Sequence, residues 1–190
     1  MSALHLTLAS ASPRRRDLLA RLGIEPNSVL SSDIDETPLK GERPRDYALR
    51  MGLEKAAAVQ ADGFVLAGDT VVAAGRRILP KTENALEARR CLELLSGRRH
   101  TVFSSVALRA PDGTTRSRLQ ESTVRFKVLS QEEIAAYLAG DEWRGKAGGY
   151  AIQGSAEGLI QWIKGSHSGI MGLPLFETRA LLKSAGFPLG

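Results

Sequence analysis

The 190-residue sequence has a single cysteine, few aromatic side chains and no long hydrophobic run. One cysteine, Cys91, can form neither an intramolecular disulfide nor a Cys-x-x-Cys metal site, and its apolar position in a predicted helix indicates a buried structural thiol. No apolar stretch approaches the roughly 20 residues of a membrane-spanning helix. The opening MSALHLTLAS is not typical of a signal peptide, so we expect a cytoplasmic protein without a membrane partner.

Aromatic residues make up 5% of the chain, while 26 Lys and Arg against 21 Asp and Glu give a net charge of +5. This charge suits a polyanionic partner, but the basic clusters lack the aromatic side chains of a nucleic-acid surface. We therefore expect a small phosphorylated ligand and no stable nucleic-acid partner. His100 and His167 lack the spacing of a metal-binding pair, which favours structural or surface roles for both. A Gly-x-x-x-x-Gly-Lys-Ser/Thr phosphate loop is absent from the sequence.

Hydrophobic periodicity predicts alternating strands and helices, hence one α/β domain spanning residues 1–190. Ser12 is the predicted N-cap and Pro13 the first residue of a helix that extends to about Gly23. Pro-Asp-Gly at 111–113 predicts a hairpin, and Ser130 with a Glu three residues later predicts a capping box. Strands are predicted at 4–9, 28–32, 64–69 and 158–165, a hairpin around 74–75, and further helices at 44–61, 83–97, 130–140 and 173–186.

The segment LASASPRRRDLL, residues 8–19, places three arginines in the first turn of a predicted helix. Helix N-termini carry a partial positive charge, so arginine is unfavourable there unless an anion compensates. Ser10, Arg14 and Arg15 would converge beyond the carboxyl end of the first strand, where open α/β sheets bind ligands. Alternatively, the arginines are solvated or paired with acidic residues.

The run FVLAGDT predicts a buried strand that ends in Asp69 and Thr70. An unpaired buried carboxylate is unfavourable, so a metal ion or a salt bridge is expected next to Asp69, unless it only caps a turn. Glu36 and Asp69 together would suit Mg²⁺ or Mn²⁺, which prefer oxygen ligands. Lys55 and Lys81 are candidates for phosphate contacts, although each alone is typical of a surface residue.

Taken in order, these motifs resemble the Maf family of nucleoside triphosphate pyrophosphatases along nearly the whole chain. The resemblance implies a Maf/ITPase-like α/β domain, in which a mixed twisted sheet flanked by helices forms two lobes around a central cleft. It also implies a divalent metal and a homodimer. The motifs that carry it are LASASPRRRDLL, IDE, LEKA, AGDTVV, LSGRRHTV, KAGGYAIQG and GLPLFET.

The resemblance extends to a subtype. Family members that act on dTTP and UTP are similar to this chain at Arg14, at Asp69-Thr70 and at Gln153. Members that act on 7-methyl-GTP tend to carry Trp, Asp-Gln and Ser-Glu-Gly at these places. An amide such as that of Gln153 can offer both a donor and an acceptor to a pyrimidine edge.

The implied reaction is hydrolysis of dTTP or UTP to the nucleoside monophosphate and pyrophosphate, which removes unwanted nucleotides from the pool. In it, Asp69 is the catalytic base and holds the metal together with Glu36. The implied substrate-binding residues are Ser10, Arg14, Arg15, Lys55, Thr70, Lys81 and Gln153.

Two departures from the family pattern and two alternatives remain open. Pro80 precedes Lys81, where the family usually has lysine followed by proline, and His167 stands where tyrosine is common. The run VLSSDIDET is similar to the haloacid-dehalogenase nucleophile motif, which would make Asp33 the nucleophile of a phosphatase. A non-catalytic nucleotide-binding regulator of cell division is the other alternative.

Overall fold

The computed structural model describes residues 5–189, and these contain alternating strands and helices. The strands are β1 (Leu6–Ala9), β2 (Ser28–Leu30), β3 (Phe64–Ala74), β4 (Arg77–Leu79), β5 (Arg99–Arg109), β6 (Thr115–Phe126) and β7 (Ile160–Lys164). The helices are α1 (Pro13–Ala20), α2 (Pro44–Ala58), α3 (Ala85–Leu95), α4 (Gln131–Leu138), α5 (His167–Met171) and α6 (Leu175–Ser184), with a 3₁₀ helix at Ser155–Leu159.

Within residues 5–189 the strands form one seven-stranded mixed sheet in the order β2-β1-β3-β5-β6-β7, and β4 pairs with β3. β1 is parallel to β2 and β3, whereas the other neighbours are antiparallel. The expected α/β class with a mixed sheet is confirmed. No helix among the described residues is long and apolar enough to cross a membrane.

Strand β3 determines where the site lies. Its first part pairs with β1 up to Ala67, and its last part extends beyond β1 to pair with β4 from Val72 onward. The prediction that the strand ends at Asp69 is therefore wrong, because the apolar run after Asp69 continues the strand to Ala74. Asp69 lies in mid-strand, two residues past the last pair with β1, where the edge of the sheet opens.

Alternation along β3 assigns its side chains to two faces. Val65 and Ala67 pack in a cluster with Ala56 of α2, while Leu66 belongs to the larger core on the other face. Asp69 has the same parity as Val65 and Ala67, so it faces α2. The next residue, Thr70, faces the opposite side, towards the end of α5.

Most local signals produce the elements that they predict. The Ser130 capping box is present, Gly113 turns the β5–β6 hairpin with a φ of 82°, and Cys91 is buried in α3. Helix α1 ends at Ala20 instead of near Gly23, and the Ser12 side chain makes no capping hydrogen bond. Residue 4 of the first predicted strand lies outside the described residues.

Candidate active site

A cleft of about 390 Å³ opens where β1 ends and β3 continues. It is bordered by the start of α1, the loop before α2, strand β3 and the glycine-rich loop, which we define as residues 145–154. The structure brings all the sequence-predicted site residues to this cleft. These are Ser10, Arg14, Arg15, Glu36, Lys55, Asp69, Thr70, Lys81 and Gln153.

Four of these side chains form a charge network, which we call the four-charge network: Glu36, Lys55, Asp69 and Lys81. The Lys55 ammonium donates to Asp69 Oδ1 at 2.6 Å and lies 2.8 Å from Glu36 Oε1. Lys81 Nζ donates to Glu36 Oε2 at 2.8 Å. Lys55 and Asp69 are each 6% exposed at the side chain, so their charges face each other away from water. The network has two positive and two negative charges and is neutral overall.

Secondary structure explains why these charges meet. Lys55 lies in the last turn of α2, on the face that packs against β3, and Asp69 projects from β3 towards that face. The loop before α2 is fixed by Tyr47, whose hydroxyl donates to the Glu36 carbonyl at 2.7 Å. Burial and the nearby negative charges of Asp69 and Glu36 raise the pKa of Tyr47 to about 12, so it stays a neutral donor.

The Glu36 carboxylate is ionised over the whole physiological pH range. Partial burial acts to raise its pKa, but hydrogen bonds and charge from Lys55 and Lys81 outweigh burial and lower the pKa to about 2. Both Glu36 oxygens accept from ammonium groups, and the Glu36 side chain is still 36% exposed. The Glu36 side chain is therefore accessible from the cleft, whereas that of Asp69 is buried.

Arginines 14 and 15 reach the carbonyl oxygens at the end of α5. Arg15 donates through Nη1 to Ser10 Oγ at 2.8 Å and through Nε to the Gly172 carbonyl at 2.9 Å. Arg14 Nε donates to the Met171 carbonyl at 3.3 Å. Burial lowers the pKa of both arginines, which nevertheless stay charged because the ordinary value is so high. These carbonyl oxygens carry partial negative charge, so they offset part of the electrostatic repulsion between the two arginines and the N-terminus of α1.

The third arginine does not belong to the cleft. Arg16 Nε donates to Glu25 Oε1 at 2.9 Å on the exposed side of α1. Pairing with an acidic residue, the alternative interpretation, therefore applies to Arg16, whereas Arg14 and Arg15 line the cleft as the ligand-binding interpretation predicts. Thr70 also contacts the α5 end, with Oγ1 donating to the Gly172 carbonyl at 3.3 Å.

The donor set fits a divalent cation that binds together with a polyphosphate. Glu36 and Asp69 each place one oxygen on the Lys55 ammonium, at 2.8 Å and 2.6 Å, so the two carboxylates face a common position that this ammonium occupies. Among residues 5–189 no group of three or more His, Cys, Asp or Glu is placed to hold a metal by itself. Mg²⁺ typically takes one or two carboxylates and completes its shell with water and substrate phosphates.

Lys81 reaches the cleft despite the preceding Pro80. It forms an isolated β-bridge with Ala147, and the Pro80 carbonyl accepts from the Gly148 amide at 3.0 Å. The missing amide hydrogen of proline is not needed here because Pro80 uses only its carbonyl. This pairing fixes the glycine-rich loop beside the four-charge network.

Several cleft residues escaped the sequence reasoning, among them Arg144, Lys146 and Tyr150. Arg144 and Lys146 belong to no periodic sequence pattern that would predict a functional role. The position of Lys146 in the segment KAGGY is the one signal that could have identified it. Tyr150 is buried and its hydroxyl lies 2.8 Å from Nε2 of the equally buried His100. His100 is thus a structural residue, as expected, and it links β5 to the glycine-rich loop.

Asp33 lies outside the set of residues that line the cleft. It is exposed in the loop after β2, an edge strand of the sheet. A phosphatase nucleophile would need to face the ligand and its binding groups. The dehalogenase-like interpretation is not favoured.

The mixed sheet and its charged cleft define an α/β protein with a site for an anionic ligand. The family of Maf-like proteins matches residues 5–185, and the chain belongs to this family.

Relatives of known name match over most of their length. The chain is 66% identical over 184 residues to the dTTP/UTP pyrophosphatase of Novosphingobium aromaticivorans, covering 95% of this chain and 92% of that protein. It is 57% identical over 188 residues to the dTTP/UTP pyrophosphatase of Rhodospirillum rubrum, covering 97% and 90%. Among solved structures, the Staphylococcus aureus Ham1 protein aligns over 64% of this chain and 71% of its own, with 15% identity and a TM-score of 0.44.

Proposed function

We propose that this protein hydrolyses dTTP and UTP between the α- and β-phosphates, releasing the nucleoside monophosphate and pyrophosphate. The observation that carries the proposal is the pairing of the buried Asp69 carboxylate with Lys55, in a cleft that also presents Arg14 and Arg15. Relatives at 57–66% identity bear the name dTTP/UTP pyrophosphatase, which supports the same substrates here.

Asp69 is the proposed general base, and Lys55 is its positioning residue. The 2.6 Å contact with Lys55 holds one carboxylate oxygen of Asp69 in place. A fixed carboxylate can orient a water molecule and accept its proton as the water attacks phosphorus. We propose that Glu36 and Asp69 also hold a Mg²⁺ or Mn²⁺ ion. When bound, such a cation neutralises phosphate charge and lowers the pKa of a coordinated water.

The remaining basic residues would bind the triphosphate. Arg15 and Ser10 are already linked by a 2.8 Å hydrogen bond, so they are preorganised on one wall of the cleft. Lys81 is 54% exposed and can turn from Glu36 towards a phosphate oxygen. Preorganised positive groups stabilise the charge that develops during phosphoryl transfer.

We propose that Gln153 recognises the pyrimidine. Its side chain is exposed at the cleft, where an amide can donate and accept one hydrogen bond each. Thr70 acts indirectly, because its hydroxyl donates to the Gly172 carbonyl and fixes the wall that Arg15 also holds.

Nucleotide-pool cleaning is the cellular role that this reaction would serve. A homodimer, a cytoplasmic location, the lack of a nucleic-acid partner and a link to cell-division arrest stay predictions. Sedimentation velocity of the purified protein checks the first of these.

The test is a panel of nucleoside triphosphates with Mg²⁺ or Mn²⁺, in which pyrophosphate and orthophosphate are measured separately. We expect pyrophosphate from dTTP and UTP and little turnover of 7-methyl-GTP. Preference for 7-methyl-GTP would overturn the substrate assignment but keep the reaction. Binding without turnover would support the regulator alternative, and orthophosphate as the sole product would support a phosphatase.

A further inference from the structure

The basic side chains of the cleft differ in whether a carboxylate neutralises them. Lys55 and Lys81 are paired with Glu36 and Asp69. Arg144, which lines the cleft, is paired at 3.3 Å with Asp141, which does not line it. Among the described residues, three cleft cations have no carboxylate within 4 Å: Arg14, Arg15 and Lys146.

Among the described residues Lys146, like Arg14, donates a side-chain hydrogen bond to one protein acceptor. Its ammonium donates to the Arg144 carbonyl at 3.0 Å, a neutral acceptor. Burial lowers the pKa of Lys146 and the charge of Arg14 lowers it further, while the Glu142 carboxylate acts in the opposite direction. Both Lys146 and Arg14 line the cleft, and two positive side chains in one cleft are unfavourable unless an anion binds between them.

The backbone keeps Lys146 in this position. Its carbonyl accepts from the Thr82 amide at 3.2 Å and from the Gly149 amide at 3.0 Å. Thr82 is fully buried and its hydroxyl donates to the Trp143 carbonyl at 2.8 Å. The residue after Lys146, Ala147, forms the β-bridge to Lys81. The backbone of Lys146 is therefore fixed at the cleft that Arg14 also lines.

We infer that Lys146 and Arg14 form a subsite for the leaving pyrophosphate. This inference rests on the proposed function and extends it to a residue that binds the β- and γ-phosphates. Cleavage at the α-phosphorus transfers the electron pair of the broken P–O bond to the pyrophosphate oxygen, so negative charge accumulates on the leaving group. Cations that no carboxylate neutralises interact most strongly with that charge. Lys55 and Lys81 serve this purpose less well while they remain paired with Glu36 and Asp69.

The test measures pyrophosphate binding directly by titration calorimetry, without nucleotide, on the wild type and on Lys146→Met. We expect the variant to bind pyrophosphate more weakly by roughly tenfold or more, and Lys146→Arg to retain most of the affinity. The affinity for dTMP should stay the same in both variants. Lys164→Met is the matched control, because it removes the same charge from the exposed strand β7 and should bind pyrophosphate as the wild type does.

Two outcomes overturn the subsite. One is unchanged pyrophosphate affinity in Lys146→Met, and the other is an equal loss of dTMP and pyrophosphate affinity. Thermal melts accompany the titrations, and Lys146→Gln replaces the methionine variant if the latter does not fold. Failure of the proposed function would give a different result. The wild type would then bind pyrophosphate more tightly than Lys146→Met but would release no pyrophosphate from dTTP or UTP.

Discussion

Replacing Lys55 with methionine tests the buried charge pair at the base of the cleft. Methionine keeps an unbranched side chain but removes the ammonium that joins Asp69 to Glu36. The Asp69 side chain is 6% exposed, so its carboxylate would be left buried without its ammonium partner. Breaking a buried ion pair in this way decreases the free energy of unfolding by about 3–5 kcal/mol.

The expected shift in melting temperature follows from the length of the chain. Each kcal/mol changes the Tm of a domain of this size by roughly 2–4 °C, so we expect Lys55→Met to melt about 10 °C lower at pH 7. Circular dichroism during heating and urea titration at constant temperature both measure the change. The exposed control Lys164→Met should stay within about 0.5 kcal/mol of the wild type.

A double variant distinguishes the charge effect from a packing effect. Lys55→Met with Asp69→Asn removes the uncompensated carboxylate as well, so at least half of the lost stability should return. An unchanged melting temperature in Lys55→Met would show that the charge pair does not stabilise the fold. If the double variant is no more stable than Lys55→Met alone, the loss of stability comes from packing and not from the unpaired carboxylate.

Three further outcomes concern pH, metal and specificity. Burial lowers the pKa of His100 to about 4, so the native state binds fewer protons than the unfolded chain below about pH 6.5. The free energy of unfolding should therefore be highest above that pH and decrease towards pH 4. In His100→Gln, urea unfolding should show a weaker dependence of this free energy on pH, and an unchanged dependence would contradict the prediction. Glu36→Gln should raise the Mg²⁺ concentration needed for half-maximal pyrophosphate release, whereas the control Asp35→Asn in the same exposed loop should not. If both variants need the same Mg²⁺ concentration, Glu36 is not a metal ligand. Gln153→Glu should decrease kcat/KM for dTTP and UTP by roughly tenfold or more, and unchanged kinetics would remove Gln153 from base recognition.

Local signals in the sequence were sufficient to predict most elements of the fold. Proline at the first helical position fixed the start of α2, and the Ser130 capping box fixed that of α4, because each acts within one helical turn. The length of β3 could not be predicted in this way, since its extension beyond Asp69 depends on pairing with β4 and β5. Helix α5 is five residues long, too short for periodicity to indicate, and it was missed.

The residues of the cleft were predictable as a group because the motifs occur in the order known for the family. Their pairings were not predictable. The sequence suggested Lys55 as a phosphate contact, yet its ammonium lies between two carboxylates because α2 packs on the face of β3 that carries Asp69. Lys146 was missed because a lone lysine in a glycine-rich segment has no pattern to distinguish it from a surface residue.

The most direct test of the central claim compares product release from dTTP by the wild type, Asp69→Asn and Asp33→Asn. Pyrophosphate and orthophosphate are quantified separately, with Mg²⁺ present and with melting curves that show each variant to be folded. We expect pyrophosphate from the wild type and from Asp33→Asn, and a loss of several orders of magnitude in the activity of Asp69→Asn. Near-full activity of Asp69→Asn, or orthophosphate release that disappears in Asp33→Asn, would contradict the role of Asp69 as the general base.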